Sequence, residues 1–368
     1  QLGWAGIAIS LLLVPSAILS FGQLTHRQFR FPALKNRLLA ASLALGTVPL
    51  LIWLGHWVSG QTYIAWIILP PVQVFVVIIP LWWLVEVGTW KLNSVFNQEG
   101  WGVLSLSLVV TPFLVIFLEI LVFFILGIGL IIWLSSIPGF AEEFTRLANR
   151  LSASPMDPEA IRRIFRPILS QGWVFVSGGI ILAGFIPAVE ELFKPLAIWL
   201  YSHRKPTLSQ GFGLGMLCGA AFAFWESSNN LSIIGAADWS SLAIARTGTG
   251  LLHTVSAGLV GLGLAAAWSQ RRYLWMIGSF LAAAGLHGLW NILVILDTGT
   301  GLFDVSSILS IPRIPNLSSL AEIGIGALIL ILFGLLVLIN LLLRRQARQG
   351  LSEPGADESS SSTEHPLH

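Results

Sequence analysis

The chain has 368 residues, 55% of them hydrophobic and only 10% charged, with a formal net charge of +2 and a mean hydropathy of +0.80. Soluble domains carry about 25% charged residues, so an ordinary soluble globule is excluded, and the near-neutral balance argues against a nucleic-acid surface. Cys218 is the single cysteine, which excludes an internal disulfide framework.

The fold class that remains is an all-α polytopic membrane protein. A bilayer span needs about 20 apolar residues, and nine stretches qualify: 3–22, 38–59, 62–88, 102–134, 172–200, 209–230, 250–268, 273–296 and 320–343. The first is longer than a signal-peptide core and no A-x-A-like site follows it, so it reads as a true span. The third carries Pro70-Pro71 and is expected to kink, because proline removes a helix hydrogen bond. The fourth is long enough to tilt or break. Between the fourth and fifth, residues 135–171 suggest two short amphipathic helices split at Ser154-Pro155, with Asp157 and Pro158 starting the second. After the ninth, the Ser- and acid-rich tail is expected to be disordered. The organisation is therefore 1–134, an N-terminal four-helix membrane region; 135–171, an extracytoplasmic linker; 172–297, a membrane core; 298–343, a loop and the last span; and 344–368, a cytoplasmic tail.

Orientation follows from the positive charges of the short loops. Arg27, Arg30, Lys35 and Arg37 follow the first span, Arg204 and Lys205 the fifth, Arg271 and Arg272 the seventh, and Arg344, Arg345 and Arg348 the ninth. With nine spans these all fall on one side. That side reads as cytoplasmic, so the N-terminus is expected outside and the C-terminus inside. The linker 135–171 then lies outside despite its five arginines, which Glu142, Glu143, Asp157 and Glu159 offset.

Within this apolar chain, AVEELFKPLAIW (188–199) sets Glu190, Glu191 and Lys194 inside the fifth span. An ionisable group at the bilayer centre costs about 3 kcal/mol or more. Glu226 lies on the sixth span, His253 on the seventh, and His287 on the eighth, with Asn291 one turn further along the same face. Counted from the cytoplasmic ends at about 1.5 Å per residue, Glu190 lies roughly 15 Å deep, His287 about 21 Å, His253 about 22 Å and Glu226 about 25 Å. These depths allow one pocket, and a kink at Pro187 would narrow the spread. Glu119, on the fourth span, has no partner in the sequence pattern and reads as structural. Glu86, Asp297 and Glu322 stand near span ends and can reach water. Glycines in QGFGLGMLCGAAFAF and AGLVGLGLAAAW allow close helix approach, so spans five to eight read as a tight bundle.

Four short patterns occur in order on these spans. EELFK (190–194) fits E-E-x-x-K, FAFWE (222–226) fits F-x-x-x-E, His253 follows Arg246, and HGLWN (287–291) fits H-x-x-x-N. The set resembles the PrsW family of intramembrane proteases, relatives of the type II CAAX-processing and Abi proteases. The resemblance covers about residues 175–295. It departs at one place, since Ser227 follows Glu226 where the family pattern often has Asn.

The resemblance implies an intramembrane endopeptidase acting on a membrane protein or peptide, with site-1-type cleavage of a membrane-spanning anti-sigma factor as the family theme. It implies Glu190, Glu191, Glu226, His253, His287 and Asn291 as catalytic candidates, with Lys194, Phe222 and Arg246 in support. Two forms of the site follow. In one, His253, His287 and Glu226 bind zinc, two histidines and a glutamate being a catalytic zinc set. In the other there is no metal: a first-motif glutamate activates water, the histidines position it, and Asn291 stabilises the oxyanion. The usual local H-E-x-x-H signature is missing. Successive helix residues point about 100° apart, so one of Glu190 and Glu191 faces the pocket while the other holds Lys194 or orients a histidine. A proton- or ion-coupled transporter and a non-catalytic scaffold also place polar groups at mid-depth. No inverted repeat supports the first, and the intact first-motif glutamate argues against the second. The expected partners are the substrate and the lipid bilayer, with no nucleic acid, in a bacterial plasma membrane.

Overall fold

The computed structural model describes residues 2–26, 36–61, 63–136, 172–200, 205–233, 239–300 and 315–349, with isolated positions between 137 and 171. The expected amphipathic helices of 135–171 and the tail after 349 lie outside the described residues. Among the described residues there is no strand, and nine helical spans are long and apolar enough to cross a membrane: 5–24, 37–59, 65–88, 98–129, 172–200, 208–232, 239–270, 273–298 and 317–349. The chain is a multi-pass membrane protein. Helices follow from the solvent, since hydrocarbon offers no partner to backbone N–H and C=O groups.

The first span is α1 (Leu2–Leu24). The second is interrupted, with α2 (Arg37–Leu45) and α3 (Val48–Ser59) meeting at Gly46-Thr47 just before Pro49. The third is α4 (Ala65–Gly88), one helix through Pro70, Pro71 and Pro80. The fourth, α5 (Gln98–Ser135), runs unbroken through Pro112, so the break envisaged from its length does not occur. Large apolar side chains such as Phe117 and Leu274 point outward, as a lipid-facing surface requires.

The sixth span, α9 (Leu208–Ile233), and the seventh, α10 (Trp239–Gln270), form the buried centre. Their contact is close because of small residues four apart. A Cβ at Gly219 would stand 2.1 Å from the His253 carbonyl oxygen, and one at Gly215 would stand 2.3 Å from that of Ala257. Backbone therefore packs on backbone here, and His253 is fixed relative to the sixth span.

The seventh span starts at Trp239, earlier than the residue 250 read from hydropathy. Trp239 is 1% exposed and its ring fills the space left by Gly55 of α3. Arg246 therefore lies inside the helix and not before it. The polar residues of 240–249 lowered the apolar signal; of these Thr249 is buried and Arg246 half-buried, while Ser241 and Thr247 are exposed.

The first-half helices brace this centre. Gln73 on α4 donates to the Leu231 carbonyl at 2.9 Å, and Ser107 on α5 donates to Cys218 Sγ at 3.3 Å. The ninth span, α12 (Leu317–Gln349), clasps the end of α4, where Asn340 donates to the carbonyls of Gly88 and Trp90.

Candidate active site

The fifth span is not a regular helix. α6 (Gly172–Ile180) passes into a π-helical turn (Ile181–Phe185), then α7 (Ile186–Phe193), then α8 (Leu196–Leu200) after a break at Lys194-Pro195. Both irregularities have proline causes. Pro187 has no N–H, so the Leu182 carbonyl five residues back loses the donor that π geometry would supply. Pro195 likewise ends α7 just after Lys194. Single-turn π segments are frequent at functional sites, and this one directly precedes the paired glutamates.

The eighth span, α11 (Tyr273–Thr300), closes against this turn. Gly288 makes that possible, because a Cβ there would lie 2.2 Å from the Ala183 carbonyl. Asn291 Nδ2 donates to the Leu182 carbonyl at 2.8 Å, replacing the bond that Pro187 cannot make. This differs from the oxyanion role expected of Asn291. If the bond is structural, Asn291→Ala should lower stability by about 1–2 kcal/mol, with a comparable, modest fall in activity. An oxyanion donor would instead cost about 10²–10³ in rate. Thermal unfolding and cleavage measured on the same preparation separate the two.

The remaining candidates come together in one network. Lys194 is fully buried, and its Nζ lies 2.7 Å from Glu191 Oε1, 3.0 Å from Glu190 Oε2 and 2.8 Å from His253 Nδ1. Glu191, also fully buried, takes His287 Nδ1 at 2.9 Å on the same oxygen. Glu191 thus both holds Lys194 and orients a histidine. Glu190 remains 12% exposed on its side chain, so it is the glutamate of the pair with access to the outside of the cluster. His253 Nε2 meets Glu226 Oε2 at 2.7 Å, and Arg246 Nη2 meets the same oxygen at 2.6 Å. Arg246 Nε also donates to Ser227 Oγ at 3.0 Å. Ser227, at the position where the family pattern often has Asn, thereby helps to hold the arginine. Phe222 stacks edge-on against His253 and lies 4.5 Å beneath the Lys194 ammonium. The two imidazoles face each other at 5.0 Å between centroids.

The donor set for a metal differs from the one read in the sequence. One donor atom each from Glu190, His253 and His287 lies within 4.8 Å of the others. Glu190 takes the place of Glu226 as third member, and Glu226 Oε2 is held by Arg246 and His253. The residue types suit a divalent ion, but His253 has Glu226 on Nε2 and Lys194 on Nδ1, so an ion would take the place of the ammonium. Each histidine has a carboxylate on one ring nitrogen, Glu226 on His253 Nε2 and Glu191 on His287 Nδ1. This outer carboxylate is how metal-binding histidines are usually oriented. Charge points the same way: Glu190, Glu191 and Glu226 face two fixed cations, Lys194 and Arg246, leaving one negative charge uncompensated.

Residues 161–315 match the PrsW family of intramembrane metalloproteases. Over this stretch the chain is similar to the PrsW family, which supports an intramembrane protease, and the matched stretch contains every member of the network just described. No curated protein and no solved structure matches the chain.

One residue near the cluster lies outside the matched stretch. Glu119 on α5 has Glu190, Glu226 and Lys194 as its charged neighbours, and α5 packs on both α7 and α9. Sequence reading took it as structural, because its neighbours are distant in the chain and no motif includes it.

Proposed function

We propose that this protein hydrolyses a peptide bond of a membrane-spanning protein at the Glu190–His253–His287 cluster, in a bacterial plasma membrane. The observation that carries the reading is the convergence of two histidines and a partly exposed glutamate, each histidine oriented by a second carboxylate. Site-1-type cleavage of an anti-sigma-factor-like substrate is the family theme assigned to it.

In the metal-dependent form, Glu190, His253 and His287 would hold the ion in place of Lys194, and it would supply Lewis acidity for attack by water. Glu191 and Glu226 fix the ring orientations, and Arg246 keeps Glu226 in place. A second form is favoured by one contact: the Lys194 ammonium already touches Glu190, Glu191 and His253, so it can serve as the cation of the site. Glu190 then takes the proton of water without a metal.

Metal content of the detergent-purified protein, measured by mass spectrometry, separates these forms. The metal-dependent form predicts about one zinc per chain, lost in both His253→Ala and His287→Ala. A metal-free chain whose cleavage resists chelators contradicts it and leaves the glutamate form.

A further inference from the structure

A second site lies on the opposite side of α9 from the protease cluster. A cavity of about 850 Å³ opens between α1, α4, α5 and α9. On α9 it is lined by Ala220, Ala221 and Phe224, whereas Phe222 and Glu226 of the same helix face His253. The helix therefore separates the two spaces. The size falls in the range of about 300–1,000 Å³ found for small-molecule sites.

The cavity is apolar along its body and polar at one end. Arg37 is the first residue of α2, Glu86 stands near the last turn of α4, and Ser94 follows in the adjoining loop. Glu86 is 3% exposed, accepts from Trp82 Nε1 at 3.3 Å, and lies 3.9 Å from Arg37 Nε. Arg37 Nη1 donates to Ser94 Oγ. A guanidinium has five N–H groups, so Arg37 keeps donors for a further acceptor. Near this end, Lys91 and Arg344 add positive charge beside Trp90.

An occupant must match both ends. A membrane-spanning helix about 10 Å wide and about 30 Å long displaces roughly 2,400 Å³, far more than the cavity holds. One acyl chain with an anionic head fits, the second chain of a phospholipid lying in the surrounding bilayer and the head meeting Arg37 together with the Lys91 and Arg344 charges that outweigh Glu86. We propose that the cavity binds one anionic phospholipid, with an acyl chain between α4, α5 and α9 and its phosphate on Arg37. Paired N–H groups of a guanidinium suit phosphate oxygens, and basic pockets at the ends of membrane helices bind such heads.

The test is native mass spectrometry of the purified full chain, released from detergent carrying phosphatidylglycerol or phosphatidylcholine with identical acyl chains. One phosphatidylglycerol should be held about tenfold more tightly than phosphatidylcholine. Arg37→Ala should remove that preference, and Ala220→Phe should release both lipids by filling the space. Should Ala220→Phe fail to fold, Ala221→Leu narrows the same cavity. Equal retention of the two lipids by the wild type overturns the proposal. Unchanged phosphatidylglycerol retention in the folded variants overturns it too, as does retention of free glycerol phosphate in place of the lipid.

Discussion

Lys194→Met should cost the folded protein about 3–5 kcal/mol and abolish its cleavage activity. Methionine is close in length and apolar, so packing against Phe222 changes little. What changes is charge. Glu191 is fully buried and depends on Lys194 at 2.7 Å for its compensation. Without the ammonium, the two neighbouring carboxylates that share it are left uncompensated, and His253 Nδ1 loses its partner. Adding Glu191→Gln should restore part of the stability, because the orphaned charge is then gone, while activity stays lost. Chemical or thermal unfolding of the purified single and double variants measures the coupling directly. An unfolding curve for Lys194→Met that overlies the wild type would show that the buried ammonium does not hold the cluster together.

Glu190→Gln should lower cleavage by about 10²–10⁴, the span that a positioned acid–base group contributes, while leaving the unfolding midpoint close to the wild type. Glutamine keeps the shape of the side chain but can neither take a proton from water, as the metal-free form requires, nor offer a charged ligand, as the metal-dependent form requires. Lys194 would still be compensated by Glu191. Glu191→Gln should behave differently. Its Oε1 serves both Lys194 and His287, so that variant should lose stability as well as activity. The contrast assigns the chemical step to the partly exposed glutamate and support to the buried one. If instead Glu190→Gln destabilised the fold and Glu191→Gln only slowed cleavage, the two roles would be reversed.

Much of this architecture was legible because the bilayer imposes a simple rule. A span needs an apolar run of fixed length, and all nine described spans overlap the stretches read from the sequence. The ionisable residues stood out for the same reason, since charge inside such runs is costly. Hydropathy failed where polar side chains on a helix find partners on a neighbouring helix. The seventh span begins at Trp239 because Arg246 finds Glu226 and Ser227, a pairing with no signature in a sliding window. Motif order also could not decide which carboxylate joins the histidines. Glu226 and Glu190 are both in the motifs, and only the folded contact shows Glu226 held by Arg246 while Glu190 faces His253 and His287. The contact that Asn291 makes was hidden for a related reason. Its position one turn after His287 places it on the right face, but the proline-induced π turn on another span supplies its acceptor.

The central claim is that hydrolysis takes place at the Glu190–His253–His287 cluster. The most direct measurement reconstitutes the purified chain with a single-span reporter protein in liposomes and follows fragment release over time. The wild type is predicted to cut the reporter at a defined bond, and folded Glu190→Gln and His287→Ala chains are predicted to release no more fragment than empty liposomes. Fragment release by both variants at the wild-type rate would contradict the account and move the chemistry elsewhere in the chain.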